Sequence, residues 1–260
     1  MEIFLATVAL EKNRWSTRVP SVRVSEYLPR IREAGFDGIE LWENHSESVP
    51  ADEREALGAI PVGIFNSYCD FTDAGADARS RALKACADFG SGGLKWNVGK
   101  EAERRGEFLR HAAAMARALP REFRFLCECH PGTILEAPAE AKRFLDELEA
   151  ATEGSAVRIG SIVHPFNIEE GALEAWFDAL GARIDHAHVQ PRDAKGRVLA
   201  LKFDEARVRR RLAAMKARGF GGTWTIEFVE GTGQPGENPE SLFRQAREDH
   251  DLLRAWWERP

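Results

Sequence analysis

The stretch Phe123-Arg-Phe-Leu-Cys-Glu128 is a short, mostly apolar segment that ends in a carboxylate. Short apolar runs of this kind are typical of strands that are buried on both faces of a parallel sheet. Similar segments recur along the 260 residues, so the sequence predicts eight strands. The other seven are Ile3 to Val8, Gly38 to Trp42, Val62 to Tyr68, Gly93 to Val98, Ile159 to His164, Ile184 to Val189 and Thr223 to Val229.

Amphipathic stretches separate most of these strands and predict helices. They are Ser25 to Ala34, Ala78 to Phe89, Glu101 to Leu119, Ala139 to Ala150 and Phe203 to Arg218, while Pro50 to Leu57 leaves room for only a short helix. The spacing of about 30 residues per strand–helix unit fits a parallel sheet whose strands are joined by helical crossovers. The sequence therefore predicts an α/β fold, a single (β/α)8 TIM barrel domain over residues 1–260.

The main alternative architecture is an open, doubly wound parallel sheet. Such sheets usually carry a glycine-rich phosphate loop after an early strand. The sequence contains neither GxGxxG nor GxxxxGK[ST], which favours the closed barrel.

The composition narrows the class of partner. A formal net charge of −6 opposes nucleic-acid binding, and no apolar run reaches the roughly 18 residues of a membrane span. The four cysteines have no CxxC spacing, and the first residues lack a targeting pattern. We expect a cytoplasmic protein with reduced thiols that binds a small molecule and neither nucleic acid nor membrane. A homo-oligomer stays open.

Polar residues end several of the predicted strands, where barrel enzymes carry their active sites. They are Glu40, Lys95, Asn97, Glu128, His130, His164, Asn167, His186, His188 and Glu227. Side chains alternate between the two faces of a strand, so Glu128 and His130 should point into the barrel, with Cys127 and Cys129 toward the helices. The same alternation pairs His186 with His188, Glu40 with Trp42, and Lys95 with Asn97. His45, His111 and His250 lie in loop or helix contexts and are expected at the surface.

Carboxylates at the ends of apolar strands need a partner. A buried, unpaired carboxylate costs several kcal/mol, so Glu128 and Glu227 require a cation, a hydrogen-bond network or a proton. Together with His164 and His188 they predict a site for one divalent metal: manganese, zinc, iron or cobalt suit this mixture of ligands, and magnesium stays open. The alternative is a salt bridge to a neighbour such as Lys95 or Arg192.

Four short motifs resemble the strand ends of the xylose-isomerase-like TIM barrel superfamily, which includes the sugar phosphate isomerase/epimerase family. They are Gly38-Ile-Glu-Leu41, Glu128-Cys-His-Pro-Gly132, His186-Ala-His188 and Thr225-Ile-Glu-Phe228. In that family a divalent metal, often manganese, is held by Glu, Asp, His and Glu on strands five to eight. The resemblance implies that Glu128, His188 and Glu227 are ligands.

The sixth strand departs from the family pattern. Where the family has Asp followed three residues later by His, this chain has His164 followed by Asn167. An imidazole in place of a carboxylate removes one negative charge and favours a softer metal. Two interpretations stay open: His164 is the fourth ligand of an altered site, or it does not bind metal and catalysis is in doubt.

The resemblance also implies a carbohydrate substrate and an enzyme that removes a proton next to a carbonyl group, through a metal-stabilised enediolate. Glu128 and Glu227 would be the catalytic acid and base. Isomerisation or epimerisation is the leading hypothesis, followed by a dehydratase or lyase, including cleavage of oxidised glycosides, and by a non-catalytic carbohydrate-binding or accessory subunit. The expected substrate-binding residues are Glu40, Trp42, Lys95, Trp96, Asn97, His130, Asn167, Gln190 and Arg192.

Overall fold

The eight strands of this protein close into a parallel barrel in sequence order, as a computed structural model that describes residues 1–47, 49–167 and 171–259 shows. The last strand pairs with the first, which closes the sheet. The strands are β1 (Ile3–Ala6), β2 (Gly38–Trp42), β3 (Val62–Asn66), β4 (Gly93–Trp96), β5 (Arg124–Glu128), β6 (Arg158–Val163), β7 (Ile184–Val189) and β8 (Thr223–Ile226). The predicted TIM barrel is confirmed.

Helices lie between the strands and after the last one. They are α1 (Leu28–Glu33), α2 (Asn44–Glu47), α3 (Ala51–Leu57), α4 (Ala76–Asp88), α5 (Arg105–Arg117), α6 (Pro138–Ala151), α7 (Ala172–Leu180), α8 (Glu205–Ala217) and α9 (Pro239–Glu258). Short 3₁₀ helices cover Thr7–Leu10, Val24–Tyr27, Asp73–Gly75, Ala102–Arg104, Gly181–Arg183 and Leu201–Asp204. The second unit carries the short helix that its sequence predicts. Within the described residues, no helix is long and apolar enough to cross a membrane.

Several strands end earlier than the apolar runs suggest. β1 ends at Ala6, and Thr7–Leu10 continues as a 3₁₀ helix whose four residues are all buried. Their composition resembles a strand because they are buried beside the barrel, not because they pair in the sheet.

A small apolar cluster lies apart from the main core and consists of Phe4, Ile64, Leu126 and Ile162. The pairing register between β2 and β3 shifts here, so that Ile39 opposes Val62, Glu40 opposes Ile64, and Gly63 has no counterpart. A Cβ atom on Gly63 would lie 2.3 Å from the ring of Phe4. Glycine at this bulge therefore makes room for the Phe4 ring.

Residues 11–22, which we call the β1 segment, lead from β1 toward the first helix. The carboxylate of Glu11 is buried and accepts hydrogen bonds from the backbone N–H groups of Ser21 and Val22. Arg14 is also buried and donates to the carbonyl oxygens of Val8 and Ala9. Both ends of the segment are therefore fixed.

The tip of the β1 segment reaches the last strand. The ring centroid of Trp15 lies 5.4 Å from that of Phe228, which follows β8, and the Trp15 side chain remains 62% exposed. The β1 segment therefore covers the β8 and β1 side of the barrel end.

Two histidines expected at the surface are buried, and that prediction is wrong for them. His45 Nδ1 lies 2.9 Å from Thr7 Oγ1 and His45 Nε2 lies 2.9 Å from Glu11 Oε1, so the imidazole anchors the β1 segment. His250 packs on Phe36 at 4.5 Å between ring centroids. His111 is half-buried on the outer surface and pairs with Asp73.

Candidate metal centre at the mouth of the barrel

The four residues predicted to hold a metal lie at the C-terminal ends of four neighbouring strands. Glu128 is the last residue of β5, and His188 lies near the end of β7. His164 directly follows β6, and Glu227 directly follows β8. Because these strands are consecutive in the barrel, the four side chains meet on one side of its mouth. Three are buried, and the side chain of His164 is 13% exposed.

One atom from each side chain points to a common centre, and these donor atoms lie within 4.8 Å of one another. The separations are 3.1 Å for His164 Nε2–Glu128 Oε1, 3.1 Å for His188 Nδ1–Glu227 Oε2, 3.3 Å for His164 Nε2–His188 Nδ1, 3.7 Å for His188 Nδ1–Glu128 Oε1 and 3.8 Å for His164 Nε2–Glu227 Oε2. A tetrahedral ion with bonds of about 2.0–2.1 Å holds its ligands roughly 3.3–3.4 Å apart. The donor set and its spacing therefore fit a divalent metal.

Glu40 orients His188 from inside the barrel. Its Oε2 atom lies 3.0 Å from His188 Nε2, and its Oε1 atom accepts a hydrogen bond from Asn66 Nδ2. Burial alone would raise the pKa of Glu40, but His188 and His186 lower it well below its usual range. When His188 binds a metal ion, an ionised Glu40 would hold the imidazole proton on Nε2 and leave the Nδ1 lone pair for the centre.

Lys95 holds the other oxygen of Glu128. Its Nζ atom lies 2.7 Å from Glu128 Oε2, and both side chains are almost fully buried. Burial opposes ionisation of Glu128, but Lys95 together with His164 and His188 outweighs it and keeps the carboxyl pKa well below the ordinary value. Glu128 thus uses Oε2 for the ion pair and Oε1 for the centre, so the predicted alternatives of a salt bridge and a metal ligand are compatible.

Glu227 is held by a side-chain relay. Gln190 Nε2 donates to Glu227 Oε2, and Gln190 Oε1 accepts from Nε and Nη2 of Arg192. The amide of Gln190 therefore has a defined orientation, with its nitrogen toward the centre and its oxygen toward Arg192.

Two other groups of potential ligands have partners that argue against metal binding. Both ring nitrogens of His186, beneath His188, lie within 3.0 Å of threonine hydroxyls, those of Thr223 and Thr225. Burial lowers the pKa of His186 to about 4, so this imidazole is neutral. On the outer surface, Asp73, Glu107 and His111 are paired with arginines.

A cavity of about 310 Å³ opens beside the centre, over the ends of β5 to β7. Four of the predicted substrate-binding residues line it: His130, Asn167, Gln190 and Arg192. His164, one of the four donors, also lines it. A larger cleft of about 480 Å³ lies between α1 and α9 and contains none of these residues. The small cavity is therefore the place where a ligand could reach the centre.

Other predicted substrate contacts lie elsewhere. Trp96 is fully buried and stacks on Phe125 at 4.6 Å between centroids, so it belongs to the core, and its prediction as a substrate wall is wrong. Trp42 is 1% exposed and packs edge-on against His45, which corrects the same prediction. Glu40 has no exposed surface and reaches a substrate only through His188. Asn97 is half-buried and does not line the cavity.

Six residues that line the cavity were not predicted from the sequence, among them Cys129, Glu136 and Trp176. Alternation predicts that Cys129 faces the helices, but the His130 N–H donates to the Glu128 carbonyl and the strand pattern ends there. The expected shared face of Glu128 and His130 is lost at the same turn, and His130 is exposed. Trp176 lies on α7, and strand ends alone could not indicate a helix residue.

Several solved structures have a similar fold. The probable 3-DHS dehydratase AsbF from Bacillus anthracis superimposes with a TM-score of 0.67 and 14% identity, covering 98% of this chain and 99% of that one. The IOLI protein with a bound zinc atom gives 0.66 and 14%, covering 98% and 99%. L-ribulose 3-epimerase gives 0.65 and 15%, covering 99% and 95%. No family model and no curated protein matches the sequence.

This chain has the fold of the xylose isomerase-like TIM barrels. Proteins with this fold carry out different reactions, since the similar structures include a dehydratase, an epimerase and an endonuclease IV. The likeness therefore supports the architecture and leaves the chemistry to the residues. In this barrel, the position where the resemblance implies Asp is occupied by His164, whose Nε2 points to the centre.

Proposed function

We propose that this protein is a metal-dependent isomerase or epimerase that acts on a sugar or a sugar-like polyol ketone. The observation that carries the proposal is the convergence of Glu128, His164, His188 and Glu227 on one centre beside a small polar cavity. The four side chains would hold one divalent ion, with manganese, zinc, cobalt, iron and magnesium as the ions to test. The zinc atom in the IOLI structure is consistent with such a site.

The chemistry that a divalent ion supplies in such a site is polarisation of a carbonyl group, so that an adjacent C–H proton becomes easier to remove. The protein's own residues would move that proton. Glu128, which is ionised beside Lys95, would accept it. Glu227, from a different strand and held by Gln190, would return a proton. Two carboxylates on different strands can serve the same carbon or neighbouring carbons.

The surroundings of the centre favour this use of the carboxylates. Glu128 and Glu227 are each 4% exposed, so water competes little for the reacting groups. The half-buried Trp176 provides an apolar wall, and the cavity carries hydrogen-bonding groups on His130, Asn167, Gln190 and Arg192. A small polyhydroxylated compound matches this combination of an apolar wall and several polar contacts.

Metal content tests the first part of the proposal. We would purify the wild type without chelator, load it with each candidate ion in turn, and measure bound metal by inductively coupled plasma mass spectrometry. The variants Glu128→Gln and His164→Ala should lose bound metal, while His130→Ala should not, because His130 lies at the same mouth but outside the cluster. A wild type that stays free of metal after loading would overturn the proposal.

Proton exchange tests the second part. The metal-loaded enzyme should exchange a carbon-bound hydrogen of a ketose or inosose for deuterium from solvent, and Glu227→Gln should abolish this exchange while the protein stays folded. Analysis of the products separates the reactions: a rearranged or inverted sugar supports the proposal, whereas loss of water or an aglycone would identify a lyase instead. Unaltered exchange in Glu227→Gln would exclude its role as acid or base.

A further inference from the structure

Arg192 is a cation in the cavity whose charge has no ionic partner in the part of the chain that the structure describes. Nε and Nη2 donate to Gln190 Oε1, and Nη1 donates to the carbonyl oxygen of Gly196. Both acceptors are neutral. Among the described residues no carboxylate forms an ion pair with Arg192, although the side chain is half-buried.

The guanidinium also has donors left over. An arginine side chain carries five N–H groups, and the contacts above use one on each of its three nitrogens. One N–H therefore remains on each terminal nitrogen. Two donors on adjacent nitrogens match the two oxygens of a carboxylate, or two oxygens of a phosphate, better than they match a single hydroxyl group.

The backbone holds Arg192 at the cavity. Arg192 and Val198 form an antiparallel bridge, and the Leu199 N–H donates to the Pro191 carbonyl, so the residue sits in a short hairpin after β7. The guanidinium lies 6.0 Å from the ring centroid of Phe228, at the edge of the centre. A side chain fixed in this way loses little conformational freedom when it binds a ligand.

Asn167 provides a second open group in the same cavity. Its carboxamide Oδ1 is buried and accepts no hydrogen bond from the described residues. A buried acceptor without a donor is unfavourable, and a hydroxyl group of a ligand would satisfy it. The cavity therefore offers a cation and a hydrogen-bond acceptor within about 310 Å³, near the lower end of the range for small-molecule sites. The exposed carboxylate of Glu136 also lines it and accepts a hydrogen bond from the Gly132 N–H.

We propose that Arg192 selects substrates that carry an anionic group, so that the substrate class is a sugar acid or a sugar phosphate rather than a neutral sugar. This inference rests on the proposed function only for the position of the reacting carbon. The binding of the anion by Arg192 does not depend on it. The anionic end of the substrate would contact Arg192, and a hydroxyl group would donate to Asn167. The relay through Gln190 would then place this end at a fixed distance from Glu227.

Isothermal titration calorimetry with matched ligands tests the inference. The probes are D-glucuronate, D-galacturonate and D-glucose 6-phosphate, each compared with its neutral hexose at constant ionic strength. The wild type should bind at least one anionic probe roughly 10- to 100-fold more tightly than the neutral sugar, the range expected for a charged hydrogen bond. A preference for acids over the phosphate would identify a carboxylate, and the reverse a phosphate.

Variants separate a specific contact from general electrostatics. Arg192→Gln should lose the preference for the anionic probe, so that the acid and its neutral hexose bind with similar affinity. Arg197→Gln is the matched control, because it removes the same charge from the same hairpin, where the exposed Arg197 pairs with Asp193. If Arg192→Gln does not fold, Arg192→Lys should retain a preference that is several-fold weaker than that of the wild type.

Three results would overturn the inference: equal binding of acids and neutral sugars, equal weakening of both by Arg192→Gln, or no binding of any anionic probe. Its failure can be told apart from failure of the proposed function. Binding of metal and deuterium exchange on a neutral ketose without any anion preference would remove only the role of Arg192. Anion binding that depends on Arg192 in a protein that neither holds metal nor exchanges deuterium would remove only the proposed reaction.

Discussion

His188 Nε2 lies 3.0 Å from Glu40 Oε2 at a depth where neither residue has exposed surface. The two residues are far apart in sequence, and the pairing joins β2 to β7 across the barrel interior. Carboxylates that hold the outer nitrogen of a metal-binding imidazole fix its tautomer and orientation. The centre is thus supported from below by a residue that has no exposed surface.

Replacing Glu40 should weaken metal binding without removing a ligand. We expect Glu40→Gln to lower the affinity for the bound ion roughly 10- to 100-fold, because the amide supports the His188 imidazole less strongly than a carboxylate. Chelator competition measures the affinity. Glu11→Gln is the control, since Glu11 is another buried carboxylate beside a histidine, His45, outside the cluster. Equal affinities in the two variants and the wild type would contradict the prediction.

Replacing Lys95 alone should destabilise the fold more than replacing both Lys95 and Glu128. We expect Lys95→Met to lower the free energy of unfolding by about 3–5 kcal/mol, because Glu128 is left as a buried charge without its cation. The double variant Lys95→Met/Glu128→Gln should recover part of this loss. Urea denaturation of metal-free protein measures both values. A double variant less stable than Lys95→Met would show that the ion pair is not the cause.

Gly63 should not tolerate a side chain. Gly63→Ala places a methyl group in the Phe4 ring, and we expect a loss of about 1–3 kcal/mol in the free energy of unfolding from overpacking. Gly221→Ala is the matched control, because nothing lies within 4 Å of a Cβ at that position. Chemical denaturation compares the two. Similar changes in both variants would mean that the Phe4 contact does not explain the glycine.

Asp249 should make stability depend on pH. Burial raises its pKa from 3.8 to about 7, while one oxygen still accepts from the Leu201 N–H and the other has no partner among the described residues. Between these values the folded protein binds the proton and the unfolded chain does not, so the aspartate's contribution to stability falls as pH rises from about 4 to 7.

The variant Asp249→Asn removes this titration. Its free energy of unfolding relative to the wild type should increase between pH 4.5 and pH 8, by at most roughly 4 kcal/mol. Urea denaturation at the two pH values measures the change, and the pH 4.5 value serves as the reference. A difference that does not change with pH would refute the assignment.

The sequence predicted the barrel and the convergence of the four donors because both depend on a local pattern. A carboxylate or imidazole at the C-terminal end of an apolar strand is expected at the mouth of the barrel. Glu128 and Glu227 could therefore be assigned to the mouth. Trp96 was also predictable, because alternation that points Lys95 inward points its neighbour toward the helices. The prediction of Trp96 as a substrate wall did not apply that rule.

Burial by distant segments could not be predicted in this way. Trp42 shares a strand with Glu40, but it is covered by His45 and contacts Thr7. Neither contact can be inferred from the sequence around Trp42. The local sequence indicates that His45 is a polar loop residue. Its buried partner, Glu11, is 34 positions away in the sequence. The roles of Cys129 and Trp176 depend on where the chain turns after a strand and on how α7 packs, and neither follows from a period of two.

The β1 segment has a further consequence for how this barrel can vary. Glu11 ties its end to its beginning, and Arg14 fixes the backbone just before the tip, so residues 15–19 are exposed between two anchored points. Closing a loop whose ends are already joined costs little more when residues are added. Loops of different length can therefore replace residues 15–19 at the rim of the barrel, while the strands beneath keep their register.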